Sequence, residues 1–146
     1  MAQMPFSPCD DATNCTDHSV DMLRSIFGPV IDALVTGADP DTVSAASNVI
    51  ATMMGFFNSG ILIVGTLIVS YVAVMGTLNT ANDGEVMGRN WSSLWTPVRI
   101  VAGGAVLLPT ASGFSFIQLV VLMFALWGVG FANGTYKTGM AIGVLN

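Results

Sequence analysis

Two long stretches of the chain carry no charge: no Asp, Glu, Lys or Arg occurs from Thr42 to Asn82 or from Ile100 to Tyr136. Each exceeds the roughly 20 apolar residues that cross a hydrocarbon core about 30 Å thick. Ahead of the first stretch, Val20, Leu23, Phe27, Val30 or Ile31, and Leu34 recur at helical spacing, with Asp17, Asp21 and Arg24 off that stripe. Thr16 reads as the N-cap of this amphipathic helix, Gly28-Pro29 as a kink and Gly37 as its stop. Such a helix lies along a membrane surface or packs on a neighbour.

Asp39-Pro40 repeats the cap-and-first-turn pattern, and the helix it opens can run to about Thr80, roughly 60 Å at 1.5 Å per residue. That is twice a bilayer. Its first part (Val43, Ala46, Ile50, Met53, Phe57) is amphipathic and is expected in the aqueous compartment, while Phe56 to Leu78 is apolar nearly all round and forms the first expected span. Gly55, Gly60, Gly65, Ser70 and Gly76 thin this helix where another might approach, although small residues are also common in membrane helices at large.

Asn79 to Asn90 is a polar connector holding Asp83, Glu85 and Arg89, followed by Trp91 and Trp95 at headgroup level. Thr96-Pro97 then caps a short apolar segment ending at Leu108-Pro109, about 18 Å of helix, too short to cross and so interfacial or re-entrant. Arg99 there either snorkels to lipid phosphates or sits in a subunit contact or water-filled lumen. Gly113 to Asn133 is the second expected span, with Trp127 near its far end and Gly128 and Ala132 in small-xxx-small spacing. Gln118 is its notable polar residue, bonding an adjacent helix or sitting at the interface. The expected fold is therefore all-α and integral to the membrane: an amphipathic N-terminal helix, a long first helix reaching beyond the bilayer, a short interfacial or re-entrant helix, and a second transmembrane helix.

Composition strengthens this picture. Hydrophobic residues make up 53% of the 146 and charged residues only 9%, too few to give the apolar surface a polar shell, so lipid or partner subunits must cover it. Bound phospholipid is the expected associate, and no cofactor is implied. With four basic residues and a net charge of −5, the chain lacks the clustered Lys and Arg that direct nucleic-acid binding needs.

Residues 1–41 hold seven of the nine acids and one base, Arg24, which marks an acidic N-terminal segment distinct from a membrane region at 42–146 (spans about 56–78 and 113–133, connector 79–112). Cys9 and Cys15 stand close enough in sequence for a disulfide staple in an oxidising compartment. A metal site on Cys9, Cys15 and His18 lacks a fourth ligand, and free thiols are the remaining alternative. Arg89 and Arg99 place the connector in the cytoplasm by the positive-inside rule, leaving both termini periplasmic. Met1 to Phe6 lacks the basic start and apolar run of a signal peptide, although Met-Ala-Gln fits the remnant of processing at a small-residue site.

Little chemistry is available for catalysis. The chain has one His, no Ser-His-Asp or Cys-His set, no phosphate loop and no paired carboxylates in its apolar stretches, which reads as non-enzymatic and argues against an ion-coupled transporter. Asp83-Gly84-Glu85 reads as a polar turn, since a calcium loop needs further oxygen ligands.

One motif is more specific. From Gly84-Glu85-Val86-Met87-Gly88-Arg89-Asn90-Trp91-Ser92-Ser93-Leu94-Trp95-Thr96-Pro97-Val98-Arg99, through Gly103 and Leu107-Leu108-Pro109 to Gly113-Phe114-Ser115 and Gln118, the chain resembles the N-terminal region of the DotA/TraY family. Members are polytopic inner-membrane proteins of type IVB secretion and conjugation systems. The resemblance is clearest over 84–133, looser over 50–83, and a matter of character alone over 1–40. It implies a bacterial inner-membrane location, an oligomeric channel-like role in moving DNA or protein, self-association, and other secretion or conjugation subunits as partners. It also implies that Gly84, Glu85, Gly88, Asn90, Trp91, Trp95, Pro97, Arg99, Gly103, Pro109, Gly113 and Gln118 serve assembly. Helix packing is assigned to Gly60, Gly65, Gly76, Gly128 and Ala132 from their spacing. Family members are several times longer, so the chain reads as an N-terminal fragment or a short relative. Two other classes fit the same pattern: a pilin-like filament subunit and a small holin-like pore.

Overall fold

The computed structural model describes residues 6–9, 15–83 and 95–143. Among these the fold is entirely helical apart from one isolated bridge between Pro109 and Ser115. Helix α1 (His18–Phe27) is capped by Asp17 and not by Thr16: the Asp17 carboxylate accepts from the amides of Ser19 at 2.7 Å and Val20 at 3.3 Å. A carboxylate both fills orphan amides and complements the helix dipole, an advantage the Thr16 hydroxyl lacks. Gly28 is left-handed (φ 74°), so Gly28-Pro29 ends α1 outright where a kink was expected, and a separate helix α2 (Val30–Thr36) follows. Gly37, also left-handed, stops α2 as the sequence predicts. Arg24 pairs with Asp21 at 3.2 Å and Asp32 at 2.5 Å, lashing the two helices together.

The apolar stripe behaves as read: Val20, Val30, Ile31 and Leu34 are buried and Leu23 and Phe27 partly so. Their core partners come from a distant part of the chain, Phe114, Leu119, Leu122 and Leu126. A disulfide joins Cys9 and Cys15 with Cα atoms 5.2 Å apart, which rules out the metal alternative for these sulfurs. Replacing both cysteines by serine is expected to cost about 2 kcal/mol, since the closed loop is short. Non-reducing mass spectrometry of the wild type should show a mass two hydrogens below that of the reduced chain.

The long helix starts later than expected. Asp39-Pro40 opens only a single 3₁₀ turn (Pro40–Thr42), a second turn occupies Ala45–Ser47, and α3 runs Val49–Asp83. Three side chains interrupt the helix: Asp39, Ser44 and Asn48 accept from the amides of Asp41, Ala46 and Ile50 respectively. The freed backbone is used elsewhere, because Ala45 N–H donates to the Ala111 carbonyl at 3.0 Å and the Asp41 carboxylate accepts from Ala111 N–H at 3.2 Å. The buried face of the first turns is consequently Ala51 and Asn58 with Met54 half-buried between them, and the expected Met53 and Phe57 are exposed. At the other end α3 continues through Asn79–Asp83, taken from sequence as loop; its 35 residues span about 52 Å.

Helix α4 (Trp95–Leu107) has 13 residues, about 20 Å, and buries none of them. Helix α5 (Phe116–Ala141) begins three residues after the expected Gly113, because Gly113 takes a left-handed conformation (φ 85°) and Ser115 serves as N-cap; it runs on past Asn133. Helices α3 and α5 are each long and apolar enough to cross a membrane. Among the described residues they do not pack along one another, and α4 touches both.

The hydrogen bonds of Ala111 to Asp41 and Ala45 put the end of the connector beside the start of α3. That corrects the expectation that all of 79–112 lies opposite the N-terminal segment: the chain leaves along α3 and has returned by Ala111, with α4 on the return path.

Candidate functional site: a polar clasp at the helix ends

Asn58 stands in an otherwise apolar run of α3 and is only 3% exposed. A buried amide costs free energy unless its hydrogen bonds are made. Here both N–H groups are used: Asn58 Nδ2 donates to the Gly113 carbonyl at 3.1 Å and to Gln118 Oε1 at 3.0 Å. Gln118 Nε2 donates back to Asn58 Oδ1 at 3.1 Å. Gln118 Oε1 also accepts from Ser115 N–H at 2.9 Å, so one amide both caps α5 and grips α3. Close approach is possible because the loop offers no Cβ: Gly113 Cα lies 3.4 Å from where a Cβ on Gly55 would stand. This pair fixes the ends of two helices that otherwise diverge.

An apolar groove of about 220 Å³ opens beside the clasp between Phe27, Met54, Phe114 and Ile117, with Gln118 also lining it. Phe27 and Phe114 meet edge to face there, ring centroids 6.1 Å apart.

A second set of contacts ties the N-terminal segment to the far half of α5. Asn133 donates to the free oxygen of the Asp17 carboxylate. Phe6 stacks edge-on against Phe131 at 5.8 Å, and its backbone presses so closely on Gly130 that no Cβ would fit. Donation from Asn133 holds the Asp17 pKa below its ordinary 3.8, with the amides of Ser19 and Val20 assisting and partial burial opposing. The folded state thus binds the proton less well than the unfolded chain. The stabilisation is complete above the ordinary carboxylate range and is lost as pH falls through the lowered value. Melting temperature measured across pH 2–5, a range chosen about that carboxylate value, should fall less in Asp17→Asn than in the wild type. Parallel curves would show that this tie carries no proton linkage.

The residues singled out from sequence distribute unevenly. Gly84, Glu85, Gly88, Asn90 and Trp91 lie outside the described residues. Trp95, Pro97, Arg99 and Gly103 sit on α4, where the Arg99 guanidinium lies over the Trp95 ring at 5.6 Å. Pro109 bridges to Ser115, and Gly113 and Gln118 belong to the clasp. Gly76 is buried, whereas a Cβ at Gly60, Gly65 or Gly128 would meet nothing within 4 Å, and Ala132 is exposed. Among the described residues the close glycine contacts are at Gly28, Gly55, Gly113 and Gly130, of which Gly55 is one of the residues expected from sequence to thin the first helix. Asn58 was missed by sequence reading, although a lone amide inside an expected span was signal enough. Among the described residues no group of three His, Cys, Asp or Glu side chains is placed to hold a metal ion.

Comparison of the chain with protein-family models, with curated proteins and with solved structures finds no match.

Proposed function

We propose that the chain is an oligomeric, channel-like inner-membrane component of a type IVB secretion or conjugative DNA-transfer apparatus. The observation that carries the membrane part is the middle of α3. Ile63, Val64, Ile68 and Val69 point in different directions around the helix and are all exposed. Its hydroxyls are no exception, since Ser59, Thr66, Ser70 and Thr77 each donate to the carbonyl four residues before. That is the arrangement of a helix in lipid or among apolar neighbours, where nothing polar remains to be satisfied from outside. From Asn58 to Leu78 it rises about 30 Å, one hydrocarbon thickness, so the clasp marks one boundary of the bilayer.

In this reading the acidic N-terminal lobe, residues 109–115 and the length of α5 from Leu119 to Asn133 on which the lobe packs share the periplasmic face, as the Cys9–Cys15 disulfide favours. By the positive-inside rule Arg89 assigns the connector after α3 to the cytoplasm, and α4, about 20 Å long, covers part of the return toward residues 109–115. The step from membrane protein to secretion component is carried by the resemblance over Gly84 to Gln118. Self-association supplies the cover that α3 does not find within one chain. Native mass spectrometry of the chain in lipid nanodiscs tests this: a closed oligomer larger than a dimer is expected, and a strict monomer would sink the channel reading. Recovery of the chain in sheared surface filaments would replace it with the pilin-like class, and leakage of cells expressing the chain alone with the holin-like one.

A further inference from the structure

We infer that the first turns of α4 form a phospholipid headgroup site, with Arg99 binding the lipid phosphate and Trp95 orienting it. The inference rests on the membrane reading above. Helix α4 has no fully buried residue although it touches α3 and α5, and Val101 is 70% exposed, so much of its apolar surface is left uncovered among the described residues. Its only charge is Arg99, and no Asp or Glu among the described residues comes within ion-pair distance of that guanidinium. The guanidinium instead lies over the Trp95 indole at 5.6 Å. A contact over the ring uses none of the guanidinium's N–H donors as conventional hydrogen bonds, and a guanidinium grips a phosphate with two parallel hydrogen bonds.

Charge runs one way along the helix. Trp95 and Arg99 stand in its first five residues, and no charged residue follows from Ile100 to Tyr136. An indole and a cation at one end with Val101, Leu107 and Leu108 exposed beyond them match a headgroup layer passing into acyl chains. A phosphate also supplies the complementary charge that the described residues do not. An anionic phospholipid is the occupant this selects, because one basic residue at an anionic surface gains about fivefold in binding.

The test uses the full chain in nanodiscs of phosphatidylcholine with phosphatidylglycerol, keeping Trp95 as the sole tryptophan (Trp91→Phe, Trp127→Phe). A reference protein carries Leu67→Trp, at the middle of α3, as its sole tryptophan. Lipids brominated near the glycerol end should quench Trp95 most, and lipids brominated near the methyl end should quench the reference most. Deep quenching of Trp95, or none, with the reference quenched normally, overturns the inference and leaves the membrane reading intact. If neither is quenched, the membrane reading fails and the inference with it.

For the phosphate itself, native mass spectrometry counts the phosphatidylglycerol retained over phosphatidylcholine. Arg99→Gln is expected to lower that preference about fivefold and Arg99→Lys to keep most of it, with no displacement by excess inorganic phosphate. An unchanged preference in Arg99→Gln, displacement by inorganic phosphate, or dissociation of the oligomer in that variant without lipid loss each overturns the assignment. The last outcome would identify a carboxylate of a second copy as the partner.

Discussion

Asn58→Leu is expected to destabilise the protein by about 2 kcal/mol, although it makes an apolar helix more apolar. The loss falls on the groups left behind. The Gly113 carbonyl loses its Asn58 donor, and the Gln118 amide loses both the donor to its oxygen and the acceptor for its N–H. A buried polar group without a partner costs about 1–3 kcal/mol, and coupling between helices in lipid runs somewhat smaller, near 0.6 kcal/mol on average. The diagnostic is the double variant. Once Asn58 has gone, Gln118→Leu removes a group that is already stranded, so the two changes together should cost about 1 kcal/mol less than their sum. Denaturant melts of the wild type, both single variants and the double variant in one detergent measure the cycle. Additive costs would mean that the two amides act independently and that the clasp is a coincidence of position.

The clasp also shows what the sequence makes legible. Gln118 is visible as the notable polar residue early in an expected span, and either of its two readings, bonding a neighbour or facing the interface, is sound on local pattern. Choosing between them needs the other half of the pair, sixty residues away in the chain. Local periodicity does carry the buried stripe from Val20 to Leu34, the stop at Gly37 and the helical course of both long apolar stretches. It fails at Asp39-Pro40, where the capping pattern is present but Ser44 and Asn48 cap again within nine residues, and where the backbone is drawn off to bond Ala111. The return of the chain is illegible for the same reason. Counting charges in the connector treats 79–112 as one segment on one side, and only the contacts of Ala111 with Asp41 and Ala45 reveal that its two ends lie apart. The glycines divide likewise: of those selected by spacing, Gly55 meets Gly113 and Gly76 is buried but Gly60, Gly65 and Gly128 meet nothing, while Gly28, Gly113 and Gly130 make close approaches where loops and the N-terminal segment meet other elements.

Gly113→Ala is expected to destabilise the protein by about 4 kcal/mol. Three costs act together. Gly113 has φ 85°, a conformation that charges an L side chain about 1–2 kcal/mol. The added Cβ would run into the Ala51 carbonyl, and this is backbone in the first turn of α3, which cannot step aside as a flexible side chain would. Any relief moves the loop away from α3 and pulls the Gly113 carbonyl off Asn58, which adds the loss of the clasp. Gly60→Ala is the control. It lies on the same helix as Asn58, with nothing within 4 Å of the new methyl, and alanine is the better helix former by about 1 kcal/mol. Thermal melts of monomeric protein in detergent should therefore show a broad, early transition for Gly113→Ala and an unchanged or slightly raised one for Gly60→Ala. The same Gly60→Ala protein carries a second reading when reconstituted in nanodiscs. If Gly60 faces a neighbouring copy, the methyl weakens the oligomer without touching the monomer's stability, whereas a lipid-facing Gly60 leaves both unchanged. A melt for Gly113→Ala that matches the wild type would mean the loop reaches the clasp by some other path than the one Gly113 now takes.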